Sequence, residues 1–353
     1  MITKVRKEID KVDKKIIKLL NQRAKIAMKI GKIKKLLQNN YYMPEREKEV
    51  LLNIEKLSSG PLSPESLKDI YLEVLNGCRQ IQKVLKIAYF GPEATYTHQA
   101  AIKNFGRRAD YVNCNGIADV FEEVEKSGAD YGVVPIENST EGMVYHTLDM
   151  FKDSDLRIVM EINMPIHHYL LSKQDSIKKL KKMYYHPQAY GQCSGWIKKN
   201  LQNIEMCESS STADAARQCS KNISACAIAS KVAAILYGLN ILEGPIEDYK
   251  QNVTRFLVIG KQIPGCSGND KTSVMFSIKD RVGALHDMLV PFKKHSINLT
   301  KIESRPTKIK AWNYIFYVDF LGHICEARVQ KALRLLETKC SFLKILGSYP
   351  RGE

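Results

Sequence analysis

The chain has 353 residues, 44% of them apolar and 26% charged, proportions ordinary for a globular protein and enough length for two or three domains. Its 54 Lys and Arg against 38 Asp and Glu leave a formal charge of +16. With no run of eighteen apolar residues, no apolar leader core at the charged N-terminus and nine scattered cysteines without a C-x-x-C pair, a membrane span, a secreted disulfide framework and a zinc site are set aside and a reducing cytoplasm is expected.

Ile2, Val5, Ile9, Val12, Ile16, Leu19, Arg23, Ile26, Ile30, Ile33 and Leu37 follow one another at alternating three- and four-residue steps. This predicts a long amphipathic helix with a coiled-coil type of seam. Pro44 opens a second helix over 45–57. Ser63 and Pro64 supply the cap and first turn of a third, with Leu67, Tyr71, Val74, Cys78, Ile81 and Leu85 on one face. Three helices, the first about 50 Å long at 1.5 Å per residue, cannot enclose a core alone, so a homodimer is expected.

From Lys86 the pattern changes. Short apolar runs at 87–90, 132–136, 157–161, 225–229 and 256–259 alternate with helical stretches at 117–126, 143–151, 189–200 and 213–220. That is the signature of an α/β region. A linker rich in Gly, Pro and Ser spans 264–270. The remainder reads strand 273–278, helix 285–294, strand 298–303, strand 314–320, helix 327–336 and strand 343–346, the βαββαβ order of a ferredoxin-like fold. The expected fold is therefore multidomain: an all-α helical dimerising domain over 1–86, an α/β two-lobed domain over 87–263 and an α+β ferredoxin-like domain over 271–350.

Residues 1–86 hold 20 basic and 10 acidic side chains, so most of the charge excess is here. A basic domain can serve nucleic acid or an acidic small molecule. Arg23 is the one cation in an otherwise aliphatic seam and needs either an edge or a buried anion. Lys34, three turns on, points within about 20° of the same direction. With Arg6, Arg46, Glu47, Cys78 and Gln82 nearby in the pattern, a bundle pocket for a compact dianion is expected.

The run Arg6-x-x-Ile9-x-x-x-Asp13, Arg23, Gly31-Lys32-Ile33-Lys34, Pro44-Glu45-Arg46-Glu47 and Cys78-x-x-x-Gln82 resembles the all-helical class of chorismate mutases. The resemblance implies that Arg6 and Arg23, from opposite subunits of a dimer, hold the carboxylates of chorismate, with Arg46 assisting. It further implies that Lys34 and Gln82 hydrogen-bond the ether oxygen and that Glu47 accepts from the substrate hydroxyl. Met43 stands where that family often has Asp, and Cys78 where Ser is common. The rearrangement needs no nucleophile and no proton transfer, only a chair-like conformer and fixed donors at the breaking C–O bond.

In the α/β region polar clusters fall at element ends: Gly91-Pro92-Glu93-Ala94-Thr95-Tyr96-Thr97-His98, Pro135-Ile136-Glu137-Asn138-Ser139, His186-Pro187-Gln188 with Gln192, Ser209-Ser210-Ser211-Thr212-Ala213, and Asn252-Val253-Thr254-Arg255-Phe256. Their shared position at strand ends points to one pocket. The set resembles the prephenate dehydratase family, which removes water and carbon dioxide from prephenate to give phenylpyruvate without metal or organic cofactor. The resemblance implies that Thr254 serves the departing hydroxyl and Arg255 anchors a carboxylate. Thr95, Asn138, Gln192 and Thr212 are then pocket positions, with Glu137 or a water completing the proton path. Tyr185 replaces a Ser expected there. His167 and His168, on a predicted strand, face opposite ways, so no metal site is expected of them.

Gly283-Ala284-Leu285-His286 and Glu303-Ser304-Arg305-Pro306 resemble the phenylalanine-sensing motifs of an ACT domain. This implies phenylalanine as effector, its carboxylate at a helix N-terminus. His286 stands where that family usually has Val. Taken in order, the three resemblances imply a bifunctional chorismate mutase/prephenate dehydratase, with no nucleic-acid or membrane partner. The alternative is an amino-acid-responsive transcription regulator with a basic helical DNA-binding domain. Against it, the first helix is too long for a helix-turn-helix reader.

Overall fold

The structure, a computed structural model, describes residues 2–278, 281–306 and 314–352. Helices α1 (Ile2–Leu36), α2 (Pro44–Leu57) and α3 (Pro64–Gln80) come first. Along α1 only Ala27 and Gly31 are buried, while Ile2, Val5, Ile9, Val12, Ile16 and Leu19 stand exposed. Ser63 caps α3 by accepting from the Ser66 N–H, and Pro64 occupies the first turn, where its missing N–H costs nothing. The helix stops at Gln80 rather than running on to Leu85. Leu85 is instead drawn into extended pairing, its carbonyl accepting from Asp110 N at 2.9 Å. Gly31 allows the segment after α3 to close on α1, because a Cβ there would lie 2.8 Å from Gln82 Cγ.

The α/β region follows as β1 (Lys86–Phe90), α4 (Tyr96–Phe105), β2 (Asp110–Cys114), α5 (Ile117–Glu125), β3 (Tyr131–Asn138), β4 (Gly142–Met143), α6 (Tyr145–Asp153) and β5 (Arg157–Pro165). Then come β6 (Tyr169–Ser172), a 3-10 turn (Ile177–Lys179), β7 (Lys182–Tyr185), α7 (Pro187–Gln192), α8 (Ser194–Asn200) and β8 (Glu205–Glu208). It ends with α9 (Thr212–Cys219), β9 (Ala225–Ala229), α10 (Lys231–Tyr237), β10 (Asn240–Glu243) and β11 (Val253–Gly260). These strands make two lobes, one ordered β5-β11-β3-β1-β2 and the other β10-β6-β9-β7-β8. In the first, β1 and β3 are parallel while β11 runs antiparallel to both β3 and β5. The single helix expected over 189–200 is two, broken at Cys193, whose φ of −116° and ψ of 10° leave the α region.

The C-terminal part runs β12 (Asp270–Ser277), α11 (Ala284–Lys294), β13 (Leu299–Pro306), β14 (Tyr314–Leu321), α12 (Ala327–Glu337) and β15 (Phe342–Pro350), with the four strands antiparallel in the order β13-β14-β12-β15. Val274, Phe276, Met288, Phe292, Phe320, Val329 and Leu336 form its core, where the sheet face meets the two helices.

The chain divides into two compact units. One contains residues 1–86, 105–110 and 262–351, and the other contains 87–104, 111–261 and 352–353. Inside the first, Lys48 of α2 is buried and donates from Nζ to the Arg351 carbonyl at 2.8 Å and the Asn269 carbonyl at 3.4 Å. Among the described residues no helix is long and apolar enough to cross a membrane.

Candidate active sites

The two lobes of the second unit enclose a cavity of about 520 Å³. Antiparallel pairing sets Thr254, the second residue of β11, directly opposite Asn138, the last residue of β3. Both are buried, and Asn138 Nδ2 donates to Thr254 Oγ1 at 2.8 Å and to Asn252 Oδ1 at 2.7 Å. Asn138 Oδ1 accepts from the N–H groups of Thr140 at 3.0 Å and Glu141 at 3.1 Å and from Thr140 Oγ1 at 2.6 Å, so the turn after β3 fixes this amide. Gln192, at the end of α7, reaches in from the other lobe, its Oε1 accepting from Asn252 Nδ2 at 2.9 Å.

Two helices begin at this cavity. Thr95 precedes α4 and donates from Oγ1 to the Pro92 carbonyl at 2.8 Å, while Thr212 opens α9 behind the cap Ser211. Gly91, at φ +91°, makes the turn that leads from β1 into this loop. Thr95, Ser210, Ser211 and Thr212 all line the cavity, so the starts of two helices face its interior.

Among the described residues, no Asp, Glu, Lys or Arg lines the cavity. Its two histidines, His168 and His186, are both held below the usual histidine range by burial, so the wall carries no net charge at neutral pH. Phe90, Pro135, Ile166 and Phe256 supply apolar surface. A dianion entering such a site loses water from whatever carboxylate the helix termini do not meet.

Arg255 does not take the place expected of it. Successive side chains of a strand point to opposite faces, and Thr254 takes the cavity side. Arg255 lies on the other, with Nε 2.7 Å from Glu161 Oε2 and an η nitrogen 3.7 Å from Glu137 Oε2. Neither Arg255 nor Glu137 lines the cavity, so both serve the reverse face of the sheet. His167 and His168 sit in the link between β5 and β6 rather than on a strand. His167 Nδ1 is 2.7 Å from Glu247 Oε1, and the His168 N–H donates to Glu247 Oε2 at 2.9 Å. Burial alone would raise the Glu247 carboxyl, but these bonds hold it below the usual carboxylate range. Tyr185 stacks obliquely against Tyr190.

The helical segment gathers a second group where the last turn of α1 meets the start of α2 and the chain after α3. Lys34 Nζ donates to the Tyr41 carbonyl at 3.0 Å. Gln82 lies against Gly31 and donates to the Cys78 carbonyl at 3.1 Å, and its Oε1 is buried without a hydrogen bond. Glu47 is held by Arg79, whose guanidinium is 2.8 Å away and packs over the Tyr42 and Phe105 rings. Burial pushes the Glu47 carboxyl up even with Arg79 and Lys34 close by, and burial likewise pulls the Lys34 ammonium down. Arg79 carried no signal in the sequence beyond its place between Cys78 and Gln82.

Other expected members of this group are less closely gathered. Arg46 is exposed and paired with Glu49, and Met43 precedes the first turn of α2. Arg23 and Arg6 precede Lys34 on α1 by 11 and 28 residues, hence by about 17 and 42 Å along the axis. A substrate touching Lys34 cannot touch Arg6 of the same chain.

In the C-terminal part Gly283, at φ +75°, precedes α11, and with Ala284, Leu285, His286, Arg281, Tyr314 and Phe316 it lines a hollow of about 290 Å³. Glu303, Ser304 and Arg305 lie on β13 and do not line it.

Comparison with known proteins accounts for both groups at once. A prephenate dehydratase family model matches residues 87–264, a chorismate mutase type II model residues 5–83 and an ACT domain model residues 272–337. A bifunctional chorismate mutase/prephenate dehydratase from Aquifex aeolicus is 49% identical over 99% of this chain and 98% of its own. The chain belongs to that family. Another bifunctional chorismate mutase/prephenate dehydratase, from Pseudomonas aeruginosa, is 40% identical over 99% of this chain and 97% of its own. A solved prephenate dehydratase from Arthrobacter aurescens, in complex with L-Phe, aligns at a TM-score of 0.71 and 33% identity over 76% of this chain and 90% of that one. The chain is thus a bifunctional enzyme of phenylalanine biosynthesis, converting chorismate to prephenate and prephenate to phenylpyruvate. The reading as a DNA-binding regulator falls, since its supposed DNA-binding helices match the mutase family.

Proposed function

We propose that the dehydratase reaction takes place in the cavity around Thr254, and that the mutase reaction takes place where Lys34, Glu47, Cys78 and Gln82 meet. In the first, the Thr254 hydroxyl donates to the departing hydroxyl of prephenate. That C–O bond breaks, the ring carboxylate leaves as carbon dioxide, and its bonding electron pair completes the aromatic ring. One proton is consumed and one water released. The helix starts at Thr95 and Thr212 hold the side-chain carboxylate, and Asn138 and Gln192 orient the hydroxyls. An uncharged wall offers no cation to the ring carboxylate, which favours its loss. The observation that carries this reading is the convergence of Thr95, Asn138, Gln192, Thr212 and Thr254 on one cavity without a charged side chain.

For the mutase reaction, Lys34 and Gln82 donate to the ether oxygen of chorismate and Glu47 accepts from its hydroxyl. Arg23 and the Arg6 of a second copy hold the carboxylates, with Arg46 at the rim and Met43 and Cys78 lining it. The exposed aliphatic row of α1 supports a homodimer, because a face of that size is covered in a stable protein. Residues 271–350 respond to phenylalanine, bound in the hollow at Gly283, Ala284 and Leu285, while Glu303, Ser304 and Arg305 of β13 stand outside that hollow. The L-Phe complex of the Arthrobacter aurescens relative supports this assignment. Neither reaction draws on a metal or organic cofactor, and the enzyme works in the cytoplasm, where nine free cysteines are kept reduced.

The test is to supply chorismate to the purified protein and follow phenylpyruvate by ultraviolet absorbance, with and without phenylalanine. Phenylpyruvate from chorismate alone, with less of it when phenylalanine is added, is the expected result. Arg23→Ala should stop prephenate formation and spare dehydration, and Thr254→Ala should do the reverse. If both substitutions leave both activities intact, the assignments are wrong.

A further inference from the structure

The direction of every hydrogen bond behind Thr254 can be worked out from two backbone groups. The N–H groups of Thr140 and Glu141 can only donate, so the side-chain atom of Asn138 that meets them is its oxygen. The Asn138 NH2 therefore faces Thr254 and Asn252, and the Asn252 group facing it must be oxygen. The Asn252 NH2 then faces Gln192, which must present oxygen in turn. At the far side of Gln192 the same logic holds independently: its NH2 faces the Glu141 carboxylate at 3.4 Å, and a carboxylate only accepts.

That oxygen of Gln192 also lies 2.8 Å from His168 Nε2. A lone pair at Nε2 would repel it, so Nε2 must carry hydrogen. The other ring nitrogen, Nδ1, is then an acceptor, and the Tyr96 hydroxyl hydrogen is shared between it at 3.3 Å and the His167 carbonyl at 2.7 Å. Tyr96 is half-buried, and burial holds its hydroxyl well above the usual tyrosine range, so it stays protonated. Glu247 completes the cage by accepting from the His168 N–H and from His167. At the other end of the chain of bonds Thr254 accepts from Asn138. Its own hydrogen is left for the cavity.

We propose that His168 is a positioning residue of the dehydratase reaction, acting as an Nε2–H donor that, together with Asn252, anchors the Gln192 amide oxygen and so holds the chain Gln192–Asn252–Asn138 in place behind the Thr254 hydroxyl. This inference rests on the reading of Thr254 above. Without the donor, Gln192 Oε1 keeps Asn252 as its partner but loses the second bond that locates it, so Gln192 and Asn252 are held less firmly and the support behind Asn138 and Thr254 loosens. Hydroxyl orientation matters more to the transition state than to the bound substrate, so the loss falls on kcat.

The experiment measures dehydratase kinetics on the full-length enzyme carrying His168→Leu, His168→Gln or Thr254→Ala, with mutase activity and Tm recorded for each. His168→Leu should lower kcat on the order of 10- to 100-fold with KM changed less than about threefold. His168→Gln, whose amide donates to the same oxygen, should keep kcat within about fivefold of the parent. Mutase activity should hold in all three. A purely structural role would make kcat follow Tm rather than the presence of a donor. Loss in Thr254→Ala with full kcat in His168→Leu overturns this inference alone, as does a His168→Gln enzyme as slow as His168→Leu. Full activity in Thr254→Ala overturns the site reading and this inference together. Should His168→Leu fail to fold, imidazole nitrogen NMR of the parent enzyme decides: hydrogen on Nε2 of His168 is expected, and hydrogen on Nδ1 alone refutes the proposal.

Discussion

Around Thr254 every polar group comes from one chain and one compact unit, whereas along α1 the cations Arg6, Arg23 and Lys34 are strung over about 42 Å. The cavity around Thr254 is walled by two lobes, and its polar side chains are tied to one another before any substrate arrives. The helical group is less complete within one chain. Lys34, Glu47 and Gln82 are close together, but the arginines that would meet two carboxylates lie further along the helix, beside an uncovered aliphatic row. The contrast follows from the chemistry. Loss of water needs one well-aimed hydrogen in a site without charge, which a closed cavity provides. A pericyclic rearrangement needs cations spaced to hold one conformer, and a second helix can supply them across an interface.

The sharpest way to break that comparison is Thr254→Ala. It is expected to lower phenylpyruvate formation at least about 100-fold while chorismate consumption continues, so that prephenate accumulates. Next in size, Arg6→Ala and Arg23→Ala should each lower mutase kcat/KM on the order of 100-fold. Mixing the two inactive proteins under subunit exchange should restore activity, because one of the two sites in a mixed dimer then holds both arginines. No recovery would overturn the pairing of Arg23 with the Arg6 of a second copy. Gly31→Ala should cost about 1–3 kcal/mol in chemical denaturation, since the new methyl group meets Gln82, with mutase activity falling further than dehydratase activity. The smallest effect is on pH. Burial raises the Glu47 carboxyl, and the role proposed for it requires the ionised form. Mutase kcat/KM should therefore fall on acidification at a pH above the ordinary glutamate range, and Glu47→Gln should flatten that limb. A decline only within the ordinary range would remove Glu47 from the role.

The long helix was legible because eleven positions keep one step over ten turns, a pattern that few other structures tolerate. The βαββαβ order was legible for the same reason, strong alternation at regular spacing. Strands β7 and β8 were not, because Lys182–Tyr185 and Glu205–Glu208 are four residues long and carry charge at their ends. Most cavity residues sit in motifs that stand out at element boundaries. Arg255 shows the limit of that approach: adjacency in a motif suggests a shared task, while the pleat of a strand sends neighbours apart. His168 shows the opposite. Its role comes only from a partner 24 residues on, at a distance in sequence that no local pattern encodes.

Lys48 carries a consequence for anyone wishing to cut this enzyme into separate activities. Its ammonium ends on the carbonyls of Asn269 and Arg351, which belong to the opposite end of the polypeptide. A fragment ending near residue 86 would retain that cation with neither acceptor, facing a surface built to be covered. Mutase expressed by itself should thus be less robust than mutase in the whole enzyme, and a truncation of only the last few residues should already be felt at α2.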